Sequence, residues 1–211
     1  MADGRRRARP AEAETEVRDE DWDGRDLSAE TYSLTSFVDV DLTDSRTRGA
    51  SFAECGFRDC RFNGSVHAGT AFLNCTFTAC KFFDATFDGC KLVGSIFDGC
   101  SFDFMKCIDG DWSYVGLAGA DLRRAFFSGT RMREADLGGA RLEGAELRHL
   151  DLSGVSIRGA NLSRADLRGS QLPQIDPLAV DLTGTVIDFD QAVAIAATLG
   201  LDVRPEEPPL H

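Results

Sequence analysis

The sequence predicts an all-β solenoid that winds for most of its length and ends in one short α-helix. Three observations predict it. From Trp22 to Ile187, every fifth residue is large and apolar at 30 of 34 positions, the exceptions being Thr47, His67, Cys107 and Pro177. Two residues earlier in each unit, from Thr35 to Thr185, 28 of 31 positions hold Ala, Cys, Ser, Thr, Val or Gly. Two residues later in each unit stand 15 of the 19 glycines found between residues 22 and 189.

A period of five suits neither a helix, at 3.6, nor a flat strand, at 2. It suits a chain that runs extended for a few residues, turns, and repeats. The large and small residues point inward, and glycine tolerates the positive φ or close approach that a turn demands. Backbone amides must then pair with the coil above and below. No single coil buries its apolar face alone, so such a solenoid is stable only as a stack.

The elements follow in order. Residues 1–21 are polar and charged, include Arg5, Arg6, Arg7 and Arg9, lack the repeat and read as a disordered tail. No apolar run follows those arginines and none is long enough to cross a membrane, so neither a signal peptide nor a membrane partner is expected. The chain of 211 residues has a net charge of −12, which argues against direct nucleic-acid binding. Seven Cys without a CxxC spacing imply reduced thiols and a cytoplasmic location.

Residues 22–187 form the repeat region. Gly159-Ala160-Asn161-Leu162-Ser163-Arg164-Ala165-Asp166-Leu167-Arg168 follows the pattern A(D/N)LXX, and on it the chain resembles the pentapeptide-repeat family. The resemblance implies a right-handed quadrilateral parallel β-helix with four units, hence twenty residues, per coil. At ~4.8 Å between coils, the rod would be about 40 Å long. Residues twenty apart would stack, giving the columns Phe37, Phe57, Phe77, Phe97 and Phe62, Phe82, Phe102, then Leu122, Leu142, Leu162. The change from Phe to Leu near residue 110 signals altered girth or turn type within one domain. Thr47 and His67 would be neighbours, either as a polar notch or bulge or as hydrogen-bonded or outward-turned residues; neither is expected to bind metal. Cys60, Cys80 and Cys100, with Cys55 and Cys75, occupy small positions and read as compact apolar side chains. Neither metal nor cofactor is expected.

Residues 188–203 form the C-terminal element. Asp188 or Asp190 can cap a helix on which Phe189, Ala192, Val193, Ala196 and Leu199 share a face, and Gly200 stops it. The helix either covers the last coil or joins two rods end to end. Residues 204–211 read as a tail. The segment Asp188-Phe189-Asp190-Gln191-Ala192-Val193-Ala194-Ile195-Ala196 resembles the C-terminal signature of the mycobacterial fluoroquinolone-resistance pentapeptide proteins (MfpA type). So do Arg48-Gly49-Ala50-Ser51-Phe52 and Leu92-Val93-Gly94-Ser95-Ile96-Phe97. Qnr proteins share the fold but carry projecting loops, for which the unbroken phase leaves no room. The resemblance implies a homodimer through the helix and DNA gyrase, a type II topoisomerase, as partner.

No catalytic motif is present, and acid pairs such as Asp39/Asp41 and Asp109/Asp111 fall on a convex surface, so an enzyme is not expected. The register puts Asp39, Asp41, Asp44, Asp59, Asp84, Asp98 and Asp103 on two adjacent faces of the N-terminal half. Residues 22–111 carry 14 acids and 8 bases, against 10 and 9 in residues 112–189. The acids either serve ordinary solubility or present carboxylates where a basic partner expects phosphates. Two functions follow: a DNA mimic that modulates gyrase and protects it from fluoroquinolones or natural poisons, or a scaffold binding an unrelated protein. Arg123, Arg124, Arg131 and Arg133 form a basic break in the middle of the repeat.

Overall fold

The computed structural model describes residues 13–176 and 179–204. The chain winds as a parallel β-solenoid in which each residue pairs with the one twenty positions on, from Thr15↔Thr35 to Asp166↔Val186. Strands of three or four residues stack into three sheets. One contains Thr15–Arg18, Thr35–Val38, Gly56–Arg58, Thr76–Thr78 and Ile96–Asp98. The next side contains the six strands from Arg46–Arg48 to Glu146–Arg148. A third contains Thr31–Ser33, Ser51–Ala53 and Ala71–Leu73. The fourth side is held by single bridges such as Asp21↔Asp41, Asp41↔Arg61 and Arg61↔Lys81.

The five-residue unit explains why the strands stay short. After each strand the backbone turns through a residue of positive φ, Gly where the sequence supplies one and often Asp or Asn elsewhere, residues that tolerate this region. Among the described residues beyond Ile108, only Phe126–Ser128 and Glu146–Arg148 remain as strands, and tight turns joined by bridges replace the rest. In those turns the Asp or Asn before the large residue accepts an N–H from two residues on. Asn161 Oδ1 receives Ser163 N at 2.9 Å, and Asp181 Oδ1 receives Thr183 N at 3.0 Å. This is an Asx turn.

The large residues fill the interior. Phe37, Phe57, Phe77 and Phe97 stack face to face with centroids 4.6–4.9 Å apart, and rings of neighbouring columns meet edge to face. Each such pair adds roughly 0.5–1.5 kcal/mol beyond its buried area. The small residues do more than save space. The Cys60, Cys75, Cys80, Cys90 and Cys100 thiols each donate to the carbonyl 23 residues back, at 3.3–3.5 Å. Ser95, Ser170 and Thr185 donate in the same way, at 2.6–2.8 Å. A thiol or hydroxyl here ties one coil to the next through a buried carbonyl, and at Leu162 O it adds to the turn bond from Ala165 N at 3.0 Å.

Thr47 and His67 are neither a notch nor outward-turned: both are buried. Ser65 Oγ donates to Phe62 O at 2.7 Å, so it accepts His67 Nε2–H at 3.0 Å. His67 Nδ1 then accepts from Thr47 Oγ1 at 2.8 Å, which in turn accepts from Thr70 Oγ1 at 2.7 Å. This directed chain fixes a neutral imidazole stacked on Phe87 at 4.9 Å, and burial pushes its pKa down to about 3.

Two boundaries differ from the sequence reading. Residues 13–21 are not a tail: Thr15–Arg18 pairs with Thr35–Val38, and Val17 packs on the core. The physical reason is that Thr15 and Val17 already occupy the small and large phases of the unit. The remainder of the N-terminal tail, Pro177 and residues 205–211 lie outside the described residues. The helix spans Phe189–Thr198, and residues 201–204 form no further element.

Candidate partner-binding surface

A partner would meet three regions of this molecule: the acidic sides, the C-terminal helix and the cleft beneath it. The seven aspartates of the predicted acidic face do not behave alike. Asp39 and Asp59 sit one rung apart at the same left-handed corner, each with φ of 55°, and Asp19 continues the ladder downward with φ of 54°. Asp44 lies against the next coil, its Oδ1 occupying the space where a side chain on Gly64 would begin. Asp41 accepts Thr43 N and Oγ1 at 3.0 and 2.6 Å and pairs with Arg61 at 3.1 Å. Those hydrogen bonds and the guanidinium outweigh its partial burial and lower its pKa. Asp84 pairs with Lys106 at 2.7 Å, and Asp103 with Arg124 at 3.6 Å. Asp98 belongs to the strand Ile96–Asp98 and is exposed. Bases one rung above therefore offset much of the charge on the middle rungs.

The strongest uncompensated charge lies lower than the sequence reading placed it. Residues 13–34 hold eight acids against two bases. They include Glu14, Glu20, Asp21, Asp23 and Asp26, all exposed on the first coil. Glu16 is paired with Arg18 at 2.8 Å, and that hydrogen bond lowers its pKa. The signal that could have found Asp19 was the unit Thr15-x-Val17-x-Asp19, one coil below Thr35-x-Phe37-x-Asp39.

At the other end, Asp188 and Gln191 close the stack. Asp188 caps the helix by accepting Gln191 N at 2.9 Å, while its second oxygen accepts Gly169 N at 2.9 Å. These two backbone bonds lower its pKa. Gln191 is buried; its amide nitrogen donates to Leu167 O at 2.6 Å and Ser170 O at 2.7 Å, and its oxygen accepts Asp188 N at 2.8 Å. The pair thus satisfies groups of the top coil that have no coil above them. The D-x-x-Q spacing was the sequence signal for Gln191. Phe189, Ala192 and Leu199 are exposed and Val193 and Ala196 half-exposed, whereas Gln191 and Ile195 turn toward the coil. A cleft of about 390 Å³ opens between residues 170–175 and the helix, lined by Leu172, Pro173, Ile175, Ala194 and Ile195, with Asp190 its one ionisable residue.

Among the described residues no helix is long and apolar enough to cross a membrane, and no group of His, Cys, Asp or Glu is arranged to hold a metal. Residues 113–148, 135–172 and 160–189 match the profile described as Pentapeptide repeats. The coil with its twenty-residue offset continues below them without a break, down to Thr15. The chain is a pentapeptide-repeat protein. No curated protein matches it. Among solved structures it is similar to HetL, a pentapeptide-repeat protein involved in heterocyst differentiation regulation in Nostoc sp. strain PCC 7120. Identity is 22%, over 81% of this chain and 82% of that one, with a TM-score of 0.37. It is similar to a trypsin-treated variant of QnrB1, a plasmid-mediated fluoroquinolone resistance protein, at 18% identity over 90% and 98%, TM-score 0.47. It is also similar to Rfr23 from the cyanobacterium Cyanothece 51142, at 16% identity over 80% and 91%, TM-score 0.25.

Proposed function

We propose that this pentapeptide-repeat protein binds DNA gyrase as a DNA mimic, modulating it and protecting it from fluoroquinolones or natural gyrase poisons. The observation that carries the reading is a stiff rod whose first coil holds eight acids to two bases and whose corner repeats Asp19, Asp39 and Asp59 rung by rung. Duplex DNA presents about one charge per 1.7 Å of axis, so one carboxylate ladder at ~4.8 Å per rung is sparser than a phosphate backbone. The acidic sides together supply the field. Such a field acts on encounter rate and register, and a rod held by its own amide ladder loses little freedom on docking.

The resemblance of residues 188–196 to the MfpA-type signature supports the gyrase assignment. The face of Phe189, Ala192 and Leu199, exposed, with Val193 and Ala196, half-exposed, supports an end-to-end homodimer that lengthens the rod. Its place is the cytoplasm, where the buried thiols stay reduced. The experiment is binding to purified gyrase across a salt series, with linear duplex as competitor. Binding at low salt that weakens with salt and is displaced by DNA supports the reading. Binding that is absent at low salt overturns it.

A further inference from the structure

We propose that two copies of this chain pair side by side and antiparallel, through an exposed aromatic patch centred on Phe104. The patch lies where the fourth side turns into the six-stranded sheet. Phe83 is 52% exposed and Phe104 43%, with their rings 5.7 Å apart and edge to face. Ile108 lies on the next strand residue outward from Lys106, and Phe126 stands one rung above Lys106; both are exposed. Tyr114, also exposed, belongs to the opposite side of the coil and takes no part. Outward phenylalanines are unusual for a β-surface in water and mark an interaction site.

Charge decides the occupant. The twenty-residue register stacks Asp84, Phe104 and Arg124 in one column, and Phe83, Asp103 and Arg123 in the column beside it. Acid lies one rung below the Phe104 ring and base one rung above. A two-fold axis in the contact plane, perpendicular to the rod at the rung of Phe104, reverses the rungs and keeps each column facing itself. It therefore sets Asp84 of each copy opposite Arg124 of the other, and Phe83 opposite Arg123. Phe104 and Ile108 meet their own counterparts on the axis, and so do Asp103 and Lys106, each of which has an opposite charge of its own chain beside it, Arg124 at 3.6 Å and Asp84 at 2.7 Å. Such self-complementarity is what an isologous contact requires.

The molecule already shows that these groups suit one another. The Arg124 guanidinium lies 4.0 Å over the Phe104 ring and 3.6 Å from Asp103, and Lys106 lies 2.7 Å from Asp84. These exposed pairs are weak, about 0–1 kcal/mol each, and across the contact Arg124 and Asp84 each stand between their own-chain partner and the facing copy's opposite charge. The contact is separate from the helix face at the C-terminal end and does not rest on the gyrase reading. It assigns Asp84 and Arg124 to self-association.

The test is sedimentation equilibrium of the full chain. Phe104→Ser with Phe126→Ser should halve the mass of the associated species, with circular dichroism unchanged because both residues are exposed. Asp84→Lys alone and Arg124→Asp alone should each weaken association at least tenfold, since each homodimer then faces like charges twice. An equimolar mixture of those two variants should regain it, because both contacts become opposite-charge pairs. A mass insensitive to the phenylalanine substitutions overturns the proposal. So does a mixture no better associated than its components, the result expected if the patch serves a different protein.

Discussion

The indole of Trp112 lies edge-on to Phe87, with ring centroids 5.6 Å apart and an interplanar angle of 86°. It meets Phe127 in the same way at 6.0 Å. Phe87 and Phe127 are the residues one rung below and one rung above Cys107. Cys107 stands where the unit calls for a large residue, and Trp112 of the adjacent column reaches into the space it leaves. An undersized and an oversized residue, five positions apart, thus compensate in volume at the point where the Phe core gives way to Leu.

Cys107→Phe should therefore overpack a filled site and destabilise the rod by about 1–3 kcal/mol. Trp112→Leu alone should leave a cavity and cost about 2–5 kcal/mol, as large-to-small core changes do. Together the two restore the ordinary unit, and the double variant should be more stable than their sum by at least about 1 kcal/mol. Urea titration of the four proteins measures this coupling. Additive losses would refute the volume exchange.

Gly110 marks the same transition. It holds a small position with φ of +85°, and a Cβ there would lie 2.2 Å from Cys90 O. Gly119 also has positive φ, +70°, but has nothing within 4 Å. Gly119→Ala should cost about 1 kcal/mol, the left-handed penalty alone. Gly110→Ala must in addition move backbone and should cost at least about 2 kcal/mol more. Equal midpoints in urea would show that the coil yields at this corner.

Much of the fold was legible because one rule repeats: a residue five positions on must again face the interior, so every phenylalanine column followed from the phase. What escaped was local chemistry that the phase does not encode. That Cys60 and Ser95 donate to carbonyls 23 residues back depends on where the strand bends. Likewise Gln191 is polar on a helix read for its apolar face, yet its amide is the contact that seats that helix. On the surface, phase told which aspartates face outward. It did not tell that Asp41 is engaged by Thr43 and Arg61 while Asp39 sits at an open corner. Those outcomes depend on which side chains stand one rung away and how far they reach.

Acid should destabilise the protein through His67. Its imidazole is neutral when folded, with a pKa pushed down to about 3, and it faces Thr47, Ser65, Phe62, Phe72 and Phe87, none of them charged at these pH values. The unfolded chain has the ordinary value near 6.5 and binds the proton first. Stability is therefore full above about pH 6.5 and falls toward about pH 3, by about 1.4 kcal/mol per pH unit. Between pH 7 and 5 the loss should be about 2 kcal/mol. Thr47→Leu with His67→Phe should flatten that interval, since Ser65 still donates to Phe62 O and Thr70, released from Thr47, turns its hydroxyl to Ala68 O. An unchanged slope in the double variant would place the titration elsewhere.

Gln191→Leu should unseat the C-terminal closure. The change keeps helix propensity but strands the Ser170 carbonyl, at about 1–3 kcal/mol if no water replaces the donor, and leaves Leu167 O with only its bond from Ser170 N at 3.0 Å. Loss should be local. Hydrogen exchange should accelerate at amides of residues 160–198, which ladder onto or belong to the last coil, and stay slow near Phe57 and Phe77. Uniform acceleration along the rod would mean that the end coil and the Phe core unfold as one unit.

The acidic sides give the sharpest division between structural and recognition carboxylates. Asp41 is tied into its own turn and to Arg61, so Asp41→Asn should lower stability slightly and leave partner binding nearly intact. Asp19, Asp39 and Asp59 repeat at one corner, where reversal removes field without removing a turn bond described for Asp41. Asp19→Lys, Asp39→Lys and Asp59→Lys together change the net charge by six units. If gyrase reads the rod as DNA, the triple variant should lose at least tenfold in low-salt affinity, and the slope of log affinity against log salt should shrink. Thermal unfolding should stay close to that of the unaltered chain, since the three side chains lie outside the core. A triple variant that binds gyrase as tightly as the parent, with the same salt slope, would move the contact off this corner and leave the mimicry without its ladder.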